Sequence, residues 1–507
     1  MPAASVCLIL HAHLPWVFHP DQPHAIEQRW LPECLLESYL PLLMMLEKLA
    51  QEGVPYHLAF SISPSLLSMW ENAVLMDHFA RYMDNLEALC QQEIARASWN
   101  RQRLSLLRDY QDRFAAVRRY FERYGRRPAA ALKQLIQSGH IELMTTSATH
   151  AFLPLLAEDQ QAVYLQIHAG IAYVRRKLEL DPQGFWLPEC GYFPGVDHFL
   201  KTEGIRYLIT DTHGLLYAEP RPRYGPFAPV ILPASGIAAF ARDPNASREV
   251  WSATEGYPGA PFYREFYADA ADELDEPTLR RFVHPEGLRV QTGLKYYRIT
   301  GQTHAKEPYD PALARAQAKA DAYDFVSKRE QESAFLAHRF DRPPALIAPF
   351  DAELFGHWWY EGPQWLEEVL RLLARRETLQ ASTPGDILRE QDRLQPTFPA
   401  PTSWGEGGYF DLWINPKTSW LVPALHRASQ QMQAHQSKLA PPLFEAAMRE
   451  LFLAQASDWP FIIATQSNAA YAQKRIHTHL DRLTAILEGK VREERLQQWM
   501  QEDAVLF

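Results

Sequence analysis

The chain has 507 residues, of which 47% are hydrophobic and 22% are charged, so it has the composition of a globular protein with more than one domain. Its net charge of −10 argues against a general nucleic-acid binder, because such proteins need a basic surface. The chain is rich in aromatic residues, with 14 Trp, 22 Tyr and 25 Phe. Their flat faces suit either sugar rings or a large core.

The cysteine pattern predicts reduced thiols and a cytoplasmic location. The four cysteines form no CxxC pair, and the N-terminus lacks a basic stretch followed by a secretory apolar run. No apolar run reaches the roughly 20 residues that a membrane-spanning helix needs.

Short apolar runs that end in polar residues predict strands along the N-terminal two thirds of the chain. They lie at 6–11, 56–62, 141–146, 185–189, 207–212, 237–242 and 345–353. Apolar residues spaced by three and four predict helices at 65–90, 92–124 and 159–178. Strands that alternate with helices indicate a parallel α/β fold.

Beyond a Pro-rich connection at 381–403 the pattern becomes helical. Asn415 and Pro416 resemble an N-cap followed by Pro at the first helical position. The predicted helices are 416–435, 442–454, 468–487 and 491–502. We therefore expect a catalytic domain at 1–380, with a mostly helical insertion around 65–135, and an α-helical C-terminal domain at 381–507 that contributes to the substrate cleft.

Polar side chains that could act in catalysis or binding follow several of the predicted strands. Because active sites of parallel barrels lie at the C-terminal ends of the strands, this pattern predicts an active site there. These residues are His11, His13, Glu189, Asp211, His213, Asp351 and Glu353.

Two of the strand ends carry carboxylates next to aromatic residues. Glu189 lies between Trp186 and Tyr192, and Asp351 and Glu353 are followed by an aromatic run. Cleavage of a glycosidic bond with retention needs two carboxyl groups roughly 5–5.5 Å apart. The alternative is structural carboxylates that cap helices or pair with arginine. Spacing alone does not choose between Asp351 and Glu353, since they share one face of a strand.

The pair His11 and His13 allows three interpretations. The two rings could bind sugar hydroxyls, or they could be ordinary hydrogen-bonding core histidines. With a later aspartate they could also bind a metal, which would indicate a deacetylase-like hydrolase.

Four motifs resemble the conserved regions of glycoside hydrolase family 57. His11-Ala-His13-Leu-Pro15 resembles the first region and Ile141-Glu-Leu-Met-Thr-Thr-Ser147 the second. Trp186-Leu-Pro-Glu189-Cys-Gly-Tyr192 is similar to the nucleophile region, and the stretch 348–359 around Asp351 to the acid/base region. Further stretches resemble the branching enzymes of the family. They are 210–214, 251–259, 263–267, 292–296, 403–406, 413–415 and 457–460.

The resemblance implies a (β/α)7 barrel, a distorted TIM-like fold, with an inserted helical domain and a helical C-terminal domain. It implies Glu189 as nucleophile and Asp351 as acid/base in a retaining reaction that cuts α-1,4 linkages and forms α-1,6 branches. The implied partner is an α-glucan such as glycogen, amylose or a maltooligosaccharide, with no metal and no organic cofactor. The expected substrate-binding residues are His11, His13, Trp186, Asp211, His213, Arg264, Gly293, Trp358, Trp404, Trp413 and Asp458.

Two departures from the family pattern leave other activities open. Tyr267 is followed by small residues at 268–271, where relatives continue with large residues. The segment 215–236 is short and contains two tyrosines, Tyr217 and Tyr224. It corresponds to a loop whose tyrosine shields the reaction intermediate in branching members of the family. If neither serves, hydrolysis should compete with branching. The alternatives are therefore a 4-α-glucanotransferase or α-amylase on the same scaffold, and a non-catalytic glucan-binding protein.

Overall fold

The structure is a computed structural model that describes residues 4–252, 255–391 and 393–505. Its centre is one sheet, in which parallel pairing predominates. The strands are β1 Ala4–Ala12, β2 Leu58–Ile62, β3 Ile141–Thr145, β4 Gly184–Trp186, β5 Tyr207–Thr210, β6 Val230–Ile231, β7 Ala238–Ala241, β8 Ala345–Asp351, β9 Leu379–Ala381 and β10 Gln395–Pro396.

Seven parallel strands form the curled centre of this sheet, in the order β8, β1, β2, β3, β4, β5, β7. The short β9 adds to β1, while β6 pairs antiparallel with β7 and β10 pairs with β6. Just after β7, the backbone N–H of Asp243 donates to the carbonyl of Ile347 in β8 at 2.7 Å, which draws the two ends of the curl together. The predicted (β/α)7 fold is confirmed.

The first strand shows how the sequence builds the site. All nine residues of β1 are buried, as expected for a strand covered on both faces. Its pairing register places His11 beside Ser61 of β2 on one side and beside Asp351 of β8 on the other. The polar end of each strand therefore meets the polar ends of its neighbours at the same edge of the sheet.

Helices pack around the sheet, and four of them form an insertion between β2 and β3. Asn72 and Asn100 cap the two long helices of this insertion by accepting hydrogen bonds from backbone N–H groups of the first turns. The helices that precede the C-terminal region are α1 Trp30–Cys34, α2 Leu40–Gln51, α3 Pro64–Trp70, α4 Ala73–Arg96, α5 Arg101–Arg123, α6 Pro128–Gln137, α7 Gln160–Leu178, α8 Val196–Thr202, α9 Thr212–Leu216, α10 Pro244–Trp251, α11 Glu276–Phe282, α12 Pro311–Ala337, α13 Gly362–Leu373 and α14 Pro384–Glu390.

The C-terminal region is helical, but two details differ from the prediction. The first helix begins at Leu421 rather than at 416, because Asn415 accepts from the N–H of Lys417 and the segment forms turns. A further helix, α17, was not predicted. The helices are α15 Leu421–His435, α16 Pro441–Ala454, α17 Asp458–Thr465, α18 Ala469–Leu487 and α19 Glu493–Glu502.

Two further observations concern the helices and the cysteines. Across the residues that the structure describes, we find no helix with the length and apolarity needed to cross a membrane. All four cysteines are buried as free thiols.

Candidate active site

A cavity of about 770 Å³ opens where the strands end. Its walls combine four carboxylates from the barrel, four histidines, two arginines and aromatic side chains from the C-terminal half. The lining residues used below are His11, His13, His150, Glu189, Asp211, His213, Leu216, Arg242, Trp251, Asp351, Glu353, Trp404, Trp413 and Asp458.

Glu189 reaches the cavity through an unusual backbone turn. Strand β4 ends at Trp186, and the chain then places Glu189 at φ 62° and Cys190 at φ 51°. This left-handed conformation costs a residue with a Cβ about 1–2 kcal/mol. Such strain persists only where the surroundings enforce it, and it clusters at functional sites.

Two donors hold the carboxylate of Glu189. The indole N–H of Trp404 donates to Oε2 at 2.7 Å, and the hydroxyl of Ser457 donates to Oε1 at 2.9 Å. Burial raises the pKa of Glu189 and the charge of Asp458 adds to this, whereas the two hydrogen bonds lower it. The donors therefore favour the ionised carboxylate that a nucleophile needs.

A chain of histidines supports Ser457 from behind. His150 lies with Nδ1 2.8 Å from the Ser457 hydroxyl and Nε2 2.9 Å from Nε2 of His11. The other nitrogen of His11 lies 3.1 Å from the hydroxyl of Ser61. Burial lowers the pKa values of His11 and His150 well below the usual range, and nearby His13 adds to the effect. Neutral rings in this chain fix the hydroxyl that contacts Glu189.

His13 also has a protein partner at each ring nitrogen. Its Nδ1 lies 2.8 Å from the hydroxyl of Ser63, and its Nε2 lies 3.1 Å from a carboxylate oxygen of Asp458. Among the described residues, neither His11 nor His13 belongs to a group with metal-ligand spacing. This arrangement favours the hydrogen-bonding interpretation of the histidine pair over the metal-binding one.

The second acid, Asp351, ends β8 and lines the same cavity as Glu189. Burial raises the pKa of Asp351 well above its usual range, and the charges of Glu353 and Glu189 raise it further. Glu353 is held elsewhere, since Oε1 accepts from the hydroxyl of Tyr39 and, at 3.0 Å, from the backbone N–H of His13. Asp351 is thus the carboxyl group suited to carry and deliver a proton.

A charged pair forms the opposite side of the site. Asp211 bonds Arg242 at 2.7 Å, and its other oxygen lies 3.2 Å from Nδ1 of His213. Although burial opposes ionisation, His213 and Arg242 hold the pKa of Asp211 below its usual value. The Nε2 of His213 donates to the carbonyl of Gly408 at 2.6 Å, which ties this wall to the C-terminal half.

The structure does not bring every expected residue to the cavity surface. Trp186 is fully buried beneath it and stacks on His11, with 4.8 Å between ring centroids. Trp413 lines the cavity but is only 1% exposed, because its ring stacks on Phe152 with 4.5 Å between the ring centroids. Its main contacts are therefore with the protein core, and it offers little free surface to a ligand.

Three other expected residues lie outside this cavity. Arg264 is buried, pairs with Glu37 at 3.1 Å and donates to the carbonyl of Gly293 at 3.2 Å. This cluster stabilises the fold near the inserted helices, and it keeps the pKa of Glu37 at about 2 despite burial. Trp358 and Arg264 both line a separate cavity.

Neither candidate loop tyrosine lines the main cavity. Tyr224 donates to a carboxylate oxygen of Asp341 and packs edge-on against Phe340, away from Glu189 and Asp351. Tyr217 is 65% exposed and follows Leu216, which is at the cavity wall. Within the part of the chain that the structure describes, the cavity lining contains no tyrosine.

Sequence reasoning missed three residues of this site. His150 follows the third strand, Arg242 follows β7, and Ser457 directly precedes the expected Asp458. The first two had the same signal that identified the other residues, namely a polar side chain just after a strand. Ser457 lies in the stretch 457–460 that resembles the family, but its contact with Glu189 depends on how the C-terminal helices dock.

Comparison with known proteins agrees with this geometry. Residues 7–331 match the model of glycosyl hydrolase family 57, and residues 421–506 match the C-terminal domain model of 1,4-α-glucan branching enzymes. A 1,4-α-glucan branching enzyme of Thermococcus kodakarensis is 30% identical over 93% of this chain and 71% of its own length. A probable branching enzyme of Mycobacterium tuberculosis is also 30% identical, over 93% of this chain and 89% of its own.

Solved structures include both branching enzymes and an amylase. The α-amylase AmyC of Thermotoga maritima superposes with a TM-score of 0.93 at 34% identity, covering 100% of this chain and 97% of that one. The family 57 branching enzyme of Pyrococcus horikoshii superposes with a TM-score of 0.87 at 29% identity, covering 99% and 95%.

Proposed function

We propose that this chain, which belongs to glycosyl hydrolase family 57, is a 1,4-α-glucan branching enzyme that works by retaining double displacement. The observation that carries the proposal is that Glu189 and Asp351 line one cavity in different environments. Burial raises the pKa of both groups, but two hydrogen bonds oppose this at Glu189, whereas the charges of Glu353 and Glu189 raise the pKa of Asp351 further.

In the first step Glu189 attacks the anomeric carbon of an α-1,4-linked glucosyl unit. The bond from that carbon to the glycosidic oxygen breaks, and Asp351 transfers its proton to the departing 4-oxygen. The products are a covalent glucosyl ester on Glu189 and a free glucan end. Asp351 is now an ionised carboxylate and is ready to act as a base.

In the second step the 6-hydroxyl of an acceptor glucan attacks the same carbon. Asp351 takes the hydroxyl proton, the ester bond to Glu189 breaks, and an α-1,6 linkage forms with net retention. Branching exceeds hydrolysis only if an acceptor is held in place and water is kept out. The C-terminal match to branching enzymes and the 30% identical branching relatives support this outcome.

A second candidate is an α-amylase, in which water replaces the acceptor hydroxyl. The 34% identity to an α-amylase structure and the absence of a tyrosine from the described cavity lining favour it. Both candidates use the same first step, so the product of the second step separates them.

The decisive experiment is incubation of the purified protein with amylose, followed by proton NMR of the anomeric region and a reducing-end assay. A branching enzyme gives new α-1,6 signals with few new reducing ends. New reducing ends without α-1,6 signals would contradict the proposal and establish hydrolysis. The Glu189→Gln variant serves as the control, since it should give neither product.

A further inference from the structure

We infer that a cavity between the inserted helix α4 and the segment 23–32, which follows β1, binds a small organic phosphate. This cavity measures about 290 Å³, which is near the lower limit for a small-molecule site. It shares no lining residue with the catalytic cavity. The inference therefore concerns a separate site and does not depend on the proposed function.

One face of α4 supplies most of the polar groups of this cavity. His78, Arg81 and Asn85 recur at intervals of three and four residues, so their side chains project from the same side of the helix. Across the described ranges of the chain, none of these three side chains has a hydrogen-bond or ion-pair partner. Their donor groups are therefore available to a ligand.

The cavity is positively charged. Arg29 and Arg81 line it, whereas the part of the chain that the structure describes contributes no aspartate or glutamate to the lining. Glu33, outside the lining, pairs with Arg29 at 3.0 Å, which leaves the charge of Arg81 uncompensated. Burial lowers the pKa of His78, and the charges of Arg81, Arg29 and His24 lower it further. A group of cations that lacks facing carboxylates favours a bound anion, and arginine is well suited to phosphate.

The wall opposite α4 is fixed by hydrogen bonds. The Nε2 of His284 donates to the carbonyl of His24 at 3.1 Å, and its Nδ1 accepts from the backbone N–H of Glu286 at 3.2 Å. These two roles require a neutral imidazole, so His284 shapes the wall without adding charge. The hydroxyl of Thr292 is likewise held, since it donates to Asp269 at 2.7 Å. A wall that is already ordered loses little conformational entropy when a ligand binds.

Apolar side chains form much of the remaining surface. Leu86 and Leu89 continue the cavity-facing side of α4, and Phe282 and Val283 contribute from the end of α11. Inorganic phosphate has no apolar part that would contact these groups. A phosphate ester has both a charged end for the cations and a carbon skeleton for the apolar wall. The combination of cations and apolar groups therefore suits a small organic phosphate.

The test is calorimetric titration of the protein with ribose 5-phosphate, with ribose and inorganic phosphate titrated separately as the two halves of this probe. Ribose 5-phosphate should bind more tightly than either half. Arg81→Gln should weaken its binding about tenfold through loss of one charge-assisted contact, and His78→Gln should weaken it as well. The matched control is Arg108→Gln, which removes an exposed arginine from the neighbouring helix α5, outside both cavities. The affinity of this control should equal that of the parent protein.

Two further measurements separate this site from the catalytic one and check the fold. Saturating maltotriose should leave the affinity for ribose 5-phosphate unchanged, because the two cavities have no residue in common. Since Arg81 is exposed, Arg81→Gln should melt at the same temperature as the parent when no ligand is present. Ribose 5-phosphate should then raise the Tm of the parent and of Arg108→Gln more than that of Arg81→Gln.

Three results would overturn the inference. They are equal affinity of the parent and Arg81→Gln for ribose 5-phosphate, no measurable binding to the parent, and displacement by maltotriose. Inorganic phosphate that binds as tightly as ribose 5-phosphate would refute the organic class of the ligand. Because none of these measurements needs turnover, a failed branching assay would refute only the proposed function.

Discussion

The hydrogen bond from Trp404 to Glu189 provides a sharp test of the electrostatic argument. Trp404→Phe keeps an aromatic ring at the site but removes the indole N–H that lies 2.7 Å from Oε2. Without this donor the ionised form of Glu189 loses stabilisation, so its pKa should rise further above the usual value. A nucleophile must be ionised to react, and the acidic limb of the pH profile should therefore move to higher pH.

The magnitude follows from the environment of the bond. A hydrogen bond to a charged group contributes about 1.5–3 kcal/mol. The side chain of Glu189 is only 16% exposed, so water can replace little of the lost hydrogen bond. Since one pKa unit corresponds to about 1.36 kcal/mol, the acidic limb should shift upward by about 1–2 pH units. The second donor, Ser457, remains and limits the shift.

The assay is kcat/KM for amylose as a function of pH, because this ratio reports the ionisation of the free enzyme. Trp413→Phe is the matched control. It makes the same substitution in the same cavity, but the indole N–H of Trp413 has no hydrogen-bond partner among the described residues. Its acidic limb should stay in place. An unshifted acidic limb in Trp404→Phe would refute the claim that this bond sets the ionisation of Glu189.

Three further predictions follow. Asp351→Asn should abolish transfer from amylose, whereas Glu353→Gln should leave substantial activity because Glu353 is bonded to Tyr39 and backbone; the reverse pattern in an activity assay would exchange their roles. Ser457→Ala should lower kcat about tenfold or more by removing one donor to the nucleophile, and an unchanged kcat would contradict this. Arg264→Met should cost about 1.5–3 kcal/mol of stability, measured by denaturant unfolding, because the buried Glu37 loses its arginine partner and keeps only His357 at 2.8 Å.

The local pattern was sufficient to predict the strands that build the barrel. Buried parallel strands are continuous apolar runs, and the polar residue after each run marks the edge where chemistry occurs. The very short strands β6, β9 and β10 were missed, since two or three residues carry no periodic signal. The predicted strand at 185–189 ends earlier, at Trp186, because the chain turns sharply to position Glu189.

Strand patterns identified site residues only on the barrel, whereas Trp404, Trp413 and Asp458 were expected from the family resemblance alone. Glu189 and Asp351 each follow an apolar run, and both line the cavity. Ser457 contacts Glu189 across 268 positions of sequence, and no local pattern contains that information. Arg264 and Gly293 were expected to bind glucan. The structure pairs Arg264 with Glu37 and Gly293 outside the main cavity, although Arg264 also lines a second one, so this expectation stays a prediction. A buried arginine and a ligand-binding arginine have the same sequence signature.

The roles of Glu189 and Asp351 are tested most directly by azide rescue with an α-maltooligosyl fluoride, whose leaving group needs no acid. In Glu189→Ala, azide should replace the missing nucleophile and give the β-glycosyl azide. In Asp351→Ala, azide should attack the ester on Glu189 and give the α-glycosyl azide. This pair of products, identified by NMR, is the predicted result. The opposite assignment of anomers, or formation of the same anomer by both variants, would contradict the account.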